Sequence, residues 1–197
     1  MGQIIGVDEV GRGCWAGPLV AGAVLMERSF EVPEGAGWRL GDSKKLTKLQ
    51  REIANGYIQT SATAFSLGWV SAEEVDQLGL TKAVGVAMER AVAGILHSQG
   101  RLAHEEIIID GNINFLPDNP LATCLVKADD SVPAVSAASI LAKVARDTFM
   151  TEQALQYPGY GFERHVGYGT KHHQEALKQF GITPLHRKSY KPVAKYV

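Results

Sequence analysis

Residues 3–13 read QIIGVDEVGRG, a short apolar run that ends in two acids and then a glycine-rich turn. A brief continuous apolar run bounded by turn residues suits a buried strand, so residues 3–8 are predicted as one. The pattern returns downstream, where Ile107-Ile108-Ile109 leads to Asp110. A third apolar stretch, predicted as a strand over 121–128, leads to Asp129-Asp130. In α/β sheets ligands usually bind at the C-terminal ends of strands, which is where these acids fall.

If the three strands are neighbours, several carboxylates share one small space. Like charges about 4–6 Å apart repel and raise one another's pKa. A divalent cation removes the conflict, and hard oxygen donors favour Mg²⁺ or Mn²⁺ over softer metals. Two such ions about 3.5–4 Å apart can activate a water and stabilise the leaving oxygen of a phosphodiester. An Asp after a strand is also a common turn-former or helix cap, and the residues alone leave both readings open. The adjoining turn adds chemistry of its own. Gly11 and Gly13 let backbone approach a ligand closely, Arg12 offers a planar fork suited to phosphate, and backbone groups in such a turn can contact a 2′-hydroxyl. The turn is not a P-loop, since G-x-x-x-x-G-K-[ST] is absent.

Working outward, 19–26 is predicted as a second strand, 30–42 as a Gly- and Pro-rich connection, 47–60 as a helix and 62–70 as a third strand. Ser71-Ala72-Glu73-Glu74 matches a capping box. Residues 80–97 have helical character, weakened at Gly85 and Gly94. The segment 133–156 carries the strongest helix signal, with Pro133 suited to a first turn and Tyr157-Pro158-Gly159 ending it. Ala134, Ala137, Ala138, Ala142 and Ala145 leave room for a close neighbour. A last helix is predicted over 171–180, stopped by Gly181. Three early strands and two later ones among helices point to a mixed α/β sheet.

At 197 residues, with 45% apolar residues, the chain fits one core, with a catalytic part expected over 1–156 and a C-terminal extension over 157–197. The formal net charge is -1, so bulk charge predicts no nucleic-acid partner. Its distribution says more. Residues 171–197 hold six Lys/Arg against one Glu, a local +5 that leaves -6 for the rest. An acidic body with a basic end can hold cations in one place and phosphates in another; an ordinary solvated tail has the same composition. Cys14 and Cys124 form no C-x-x-C pair, which argues against a disulfide framework or zinc-thiolate site. No leader pattern and no apolar run near the ~18–20 residues of a bilayer span are present. A cytoplasmic protein without a membrane partner is expected, and, with no long heptad pattern, a monomer.

Six segments also resemble the type 2 ribonuclease H (ribonuclease HII) family, in the family's order. They are GVDEVGRGCWAGPLVAGAV (6–24), DSKKL (42–46), IIIDGN (107–112), VKADDSVPAVSAASILAKVARD (126–147), GYGTKHH (167–173) and PLHRKSY (184–190). The resemblance implies a ribonuclease H-like mixed five-stranded sheet flanked by helices, with a helical C-terminal extension. It implies an endonuclease acting on RNA–DNA hybrids and on ribonucleotides embedded in duplex DNA, with Mn²⁺ or Mg²⁺ as cofactor. Matched position by position, the active-site carboxylates and metal ligands are Asp8, Glu9, Asp110 and Asp129, with Asp130 solvated beside them. Gly11, Arg12 and Gly13 match the turn that senses the 2′-hydroxyl, and Tyr168 the tyrosine that stacks on the sugar at the RNA–DNA junction.

Other residues carry weaker expectations. Ser43, Lys44 and Lys45 are candidates for phosphate contact or simply a polar turn before a helix. Ser139, Lys143 and Asp147 share one helix face; Lys143–Asp147 fits a surface ion pair, and Asp147 alternatively an outer contact of the metal site. His165, His172 and His173, with no Cys nearby, are expected to be solvated or phosphate-facing rather than zinc ligands. His186-Arg187-Lys188 is expected to grip a nucleic-acid backbone. Another two-metal DNA nuclease, a hybrid-binding module without activity, and a structural α/β domain are the competing classes. Cleavage of a duplex with and without one ribonucleotide separates them.

Overall fold

The computed structural model describes residues 2–99 and 106–197. Five strands, β1 (Gln3–Val10), β2 (Leu19–Glu27), β3 (Ala64–Val70), β4 (Glu106–Asp110) and β5 (Ala122–Leu125), form one sheet in the order β3-β2-β1-β4-β5. β1, β2 and β3 pair antiparallel, while β4 pairs parallel with both β1 and β5. The mixed sheet predicted from the strand order is therefore present. The helices are α1 (Lys48–Ser61), α2 (Ala72–Leu78), α3 (Leu80–Gln99), α4 (Ala128–Ser131), α5 (Pro133–Gln156), α6 (Phe162–His165), α7 (Lys171–Phe180) and α8 (Lys191–Ala194). A 3-10 turn covers Ser43–Lys45.

Alternation along the strands builds two cores. Ile5, Val7, Leu19, Ala21, Ala23, Leu25, Ile107 and Ile109 pack on one face with Val84, Ala87, Met88, Ala91 and Ile95 of α3. Ile4, Val24, Met26 and Ile108 pack on the other with Ala134, Val135, Ala137, Ala138 and Leu141 of α5, and with Ala54 and Ile58 of α1. The alanine stripe of α5 meets strand glycines. A Cβ on Gly6 would lie 2.1 Å from the Ala134 backbone, and one on Gly22 2.4 Å from the Ala138 carbonyl oxygen. Such contact brings α5 down onto the sheet beside the strand ends that carry the acids.

The capping box expected at Ser71 forms: its hydroxyl accepts from Glu74 N–H and Glu74 accepts from Ser71 N–H; Thr47 and Gln50 make a second, unpredicted one at the start of α1. Two boundaries beside the acids differ from expectation. β1 continues through Glu9 to Val10, because β2 supplies partners Ala21 and Val20. The strand expected over 121–128 stops at Leu125. Lys127 adopts a left-handed φ of 59°, and Ala128 already begins α4 with its N–H donated to Asp110 Oδ1.

A third cluster joins Ala16, Met150, Tyr160, Phe162 and Ala176. Around it two arginines are wholly buried. Arg146 donates to the carbonyls of Ala16, Pro18 and Val166. Arg187 donates to those of Arg12 and Gly17 and to the Tyr190 hydroxyl. Carbonyl oxygens replace the water each guanidinium loses, and they tie the 11–18 loop to α5 and the C-terminal segment.

Candidate active site

Parallel register sets the acids side by side. Gly6 faces Ile108 and Val7 faces Ile109, so Asp8 and Asp110 follow at the same ends of adjacent strands and on the same face. β5 lies on the far side of β4, so the chain leaving it carries Asp129, on α4, to the same end. All four expected carboxylates line one cavity of about 340 Å³, together with Ser43, Lys44, Arg51, Ser139, Lys143 and Tyr168.

The electrostatics are those of a crowded anionic site. Burial, then the charge of Glu9, push the Asp8 carboxyl up to about 7; Asp110 adds to the rise, and hydrogen bonds from Ser139 and from Glu9 N–H oppose it. Burial also raises Glu9, against the pull of Arg12, whose Nη1 lies 3.1 Å from Glu9 Oε1. Asp129 is raised by burial and then by Asp110, Asp42 and Asp130.

One oxygen of each strand-end acid is already engaged. Asp8 Oδ1 accepts from Glu9 N–H at 2.7 Å, Asp110 Oδ1 from Ala128 N–H at 2.8 Å, and Glu9 Oε1 from Arg12. Among the described residues no three His, Cys, Asp or Glu side chains form a ready-made metal cage. An all-oxygen donor set whose negative charges oppose one another nonetheless fits hard divalent cations.

The turn and Tyr168 meet at the edge of this cavity. Gly11 has φ +94°, and a Cβ there would lie 2.4 Å from Arg146 Nε, so no side chain fits. A Cβ on Gly13 would touch the Tyr168 ring at 4.0 Å. Tyr168 is part-exposed, and burial, then the neighbouring Cys14 thiol, push its hydroxyl up.

The phosphate candidates separate. Ser43 is buried in the cavity wall, its hydroxyl 2.9 Å from that of Ser139. Lys45 lies outside that wall and pairs with Asp130 at 2.9 Å. Asp130 is exposed, as expected of it. Asp147 takes the ion-pair alternative, 2.9 Å from Lys143, in a neighbouring groove rather than the acid cavity. Expectations for the C-terminal cations are corrected. His165, His173, His186 and Arg187 are buried, not solvated or facing phosphate, because each is used up in hydrogen bonds to backbone and to one another. No sequence signal marked Arg51 or Arg146, and none placed Cys14 beside Tyr168. Arg51 donates to the carbonyls of Ser43 and Leu46, bonds that no local pattern announces.

The ribonuclease HII family model matches residues 5–193. Ribonuclease HII of Dichelobacter nodosus is 45% identical over 193 residues, covering 98% of this chain and 96% of that protein. The fold superposes on the ribonuclease H2 of Pyrococcus horikoshii OT3 with a TM-score of 0.75 at 26% identity, over 99% and 97% of the two chains. Bst-RNase HIII in complex with Mn²⁺ shares the fold, with a TM-score of 0.76 at 21% identity, over 98% of this chain and 68% of that one. With family motifs, acid cavity and fold in agreement, the chain belongs to the ribonuclease HII family, endonucleases that hydrolyse RNA paired with, or embedded in, DNA.

Proposed function

We propose that Asp8, Glu9, Asp110 and Asp129 are the catalytic carboxylates of this endonuclease and hold two divalent ions in its working state. The cut falls 5′ of a ribonucleotide and leaves 5′-phosphate and 3′-hydroxyl ends. Mn²⁺ or Mg²⁺, when bound, supplies the acidity that makes water a nucleophile and the positive charge that stabilises a departing oxygen. Asp8 must surrender a proton that burial and Glu9 hold on it near neutral pH, and Arg12 keeps Glu9 oriented. Gly11, Arg12 and Gly13 bring backbone to the 2′-hydroxyl while Tyr168 stacks on the sugar at the junction. Ser43 and Lys44 meet phosphate at the cavity wall. Lys45 reaches the backbone further out, exchanging Asp130 for phosphate.

Residues 1–156 form the catalytic part in this reading, and 157–197 bind substrate by holding Tyr168 and presenting exposed lysines. The partners are RNA–DNA hybrids and ribonucleotide-containing DNA, met by a monomer in the cytoplasm. No helix among the described residues is long and apolar enough to cross a membrane.

The observation that carries the proposal is the convergence of all four carboxylates on one cavity, with Asp8 raised to about 7. The test is a gel assay on a DNA duplex with one embedded ribonucleotide, run with Mg²⁺, Mn²⁺ or chelator. A single cut 5′ of the ribonucleotide with metal, and none with chelator, is expected. Equal cutting of the all-DNA duplex would overturn it.

A further inference from the structure

Two imidazoles wholly inside the C-terminal region take no part in the chemistry above: His173 on α7, and His186 in the segment before α8. Backbone groups determine their tautomers. Thr183 N–H donates to His186 Nδ1 at 2.8 Å, so that nitrogen carries no hydrogen. A neutral imidazole has one donor and one acceptor, so His186 donates through Nε2 to His173 Nε2, 3.0 Å away. His173 then holds its hydrogen on Nδ1, which meets the Tyr168 carbonyl at 2.9 Å. A carbonyl only accepts, so both ends of the chain demand the same direction: Thr183 N–H to His186 to His173 to Tyr168. Burial first, with neighbouring histidines, pushes both imidazoles down to about 4, which keeps them neutral as the chain requires.

The turn that receives this chain is strained and held from several sides. Val166 has φ +44°, a left-handed conformation costly for a β-branched residue. Gly167 N–H donates to His165 Nδ1, and His165 Nε2 donates in turn to the Tyr160 carbonyl. His165 also stacks on His173 with ring centroids 4.6 Å apart. On the opposite side the Gly167 carbonyl accepts from Trp15 N–H at 2.8 Å, within the loop that continues the Gly11–Gly13 turn. The backbone of Tyr168 is therefore gripped by the 11–17 loop on one side and by the imidazole chain on the other.

We propose that the His186–His173 chain sets the backbone of Tyr168, and through it the ring's position beside Gly13, which makes His173 and His186 positioning residues for recognition of the ribonucleotide junction. This rests on the role of Tyr168 in the proposed function.

The test measures kcat and KM on a duplex with one ribonucleotide, in Mn²⁺, for Tyr168→Ala, His173→Leu, His173→Asn and the double variant Tyr168→Ala/His173→Leu. Melting curves confirm that each is folded. His173→Leu should lower kcat by about tenfold or more, since small misplacements near a reacting centre are costly. His173→Asn, whose amide nitrogen stands in for Nδ1, should recover most of the loss. In the Tyr168→Ala background His173→Leu should change nothing further. Should His173→Leu not fold, His186→Asn replaces it: its side-chain oxygen still accepts from Thr183 N–H, but its donor to His173 is gone. Ring ¹⁵N shifts of the native protein should show hydrogen on Nδ1 of His173 and on Nε2 of His186. A folded His173→Leu enzyme with native kcat, multiplicative losses in the double variant, or the reverse tautomers would each overturn the proposal. Tyr168→Ala with undiminished kcat would remove the Tyr168 role and the proposal with it, an outcome distinct from the other three.

Discussion

The acid cavity and the buried C-terminal lock both place ionisable groups out of water, and they treat them in opposite ways. At the strand ends Asp8 and Glu9 are raised by loss of water and by neighbouring carboxylates, and Asp129 on α4 is raised in the same way beside them. In the lock, Arg146 and Arg187 find carbonyl oxygens, and His173 and His186 stay neutral with every ring nitrogen bonded. Buried polar groups with full partners hold a structure together; like charges left in conflict keep a place for a ligand that resolves it. The first region gives up stability for chemistry, and the second supplies rigidity to the first through the 11–18 loop.

The contrast breaks most visibly if removing one acid leaves activity intact. Asp110→Asn should reduce cleavage by more than about 10³-fold even at saturating Mn²⁺, with the fold retained, because one of the carboxylates proposed to hold the metal is lost. A gel assay paired with a melting curve checks both halves. The lock should behave inversely. Arg146→Met leaves the carbonyls of Ala16, Pro18 and Val166 unpaired and should cost about 3–5 kcal/mol in urea unfolding. A variant of native stability would show that the guanidinium bonds are dispensable.

The two regions should also titrate in opposite senses. Asp8 titrates at about 7 when folded, against 3.8 ordinarily, so the folded form binds its proton more tightly. Its contribution to stability is full below about 4 and is lost as pH rises through 7. In chelator, Asp8→Asn should therefore melt higher than the parent at pH 8, by several degrees, with the gap closing toward pH 4. An unchanged gap across that range would remove the buried-carboxyl account. His173 and His186 titrate at about 4, against 6.5 ordinarily. Their contribution is present above 6.5 and lost as pH falls toward 4. A smaller effect is expected when His186→Asn removes one titrating group, namely a shallower loss of melting temperature between pH 6.5 and 4.

The smallest effect sharpens the edge of the cavity. Lys44→Ala should weaken cleavage more than Lys45→Ala, which should stay within about threefold of the parent, as an exposed ion pair contributes little. A larger loss from Lys45→Ala would move the substrate path toward Asp130.

Much of the acid region was legible because its signals are local. An apolar run ending in Asp marks a buried strand end, so Asp8 and Asp110 stand out as candidates in the sequence, while the parallel register of β1 and β4 makes them neighbours. The bounds 133–156 and 171–180 coincide with α5 and α7 because Pro133, Thr170 and Gly181 act on the backbone beside them. The lock was misread for the complementary reason. His186 and Arg187 stand among lysines in a basic segment, and nothing adjacent shows that Gly17 and His173 will remove them from water. Lys44 and Lys45 are neighbours in the chain, yet the 3-10 turn sends one to the cavity and the other to Asp130.

By itself the sequence determined the strands and the main helices, since periodicity and capping depend on residues within a few positions of one another, and its resemblance to a family singled out the four candidate acids. Only the tertiary structure decided which cations face water. Desolvation and hydrogen bonding depend on partners far away in the chain, such as Arg187 on Gly17 or Lys45 on Asp130, and no stretch of sequence contains both members of such a pair.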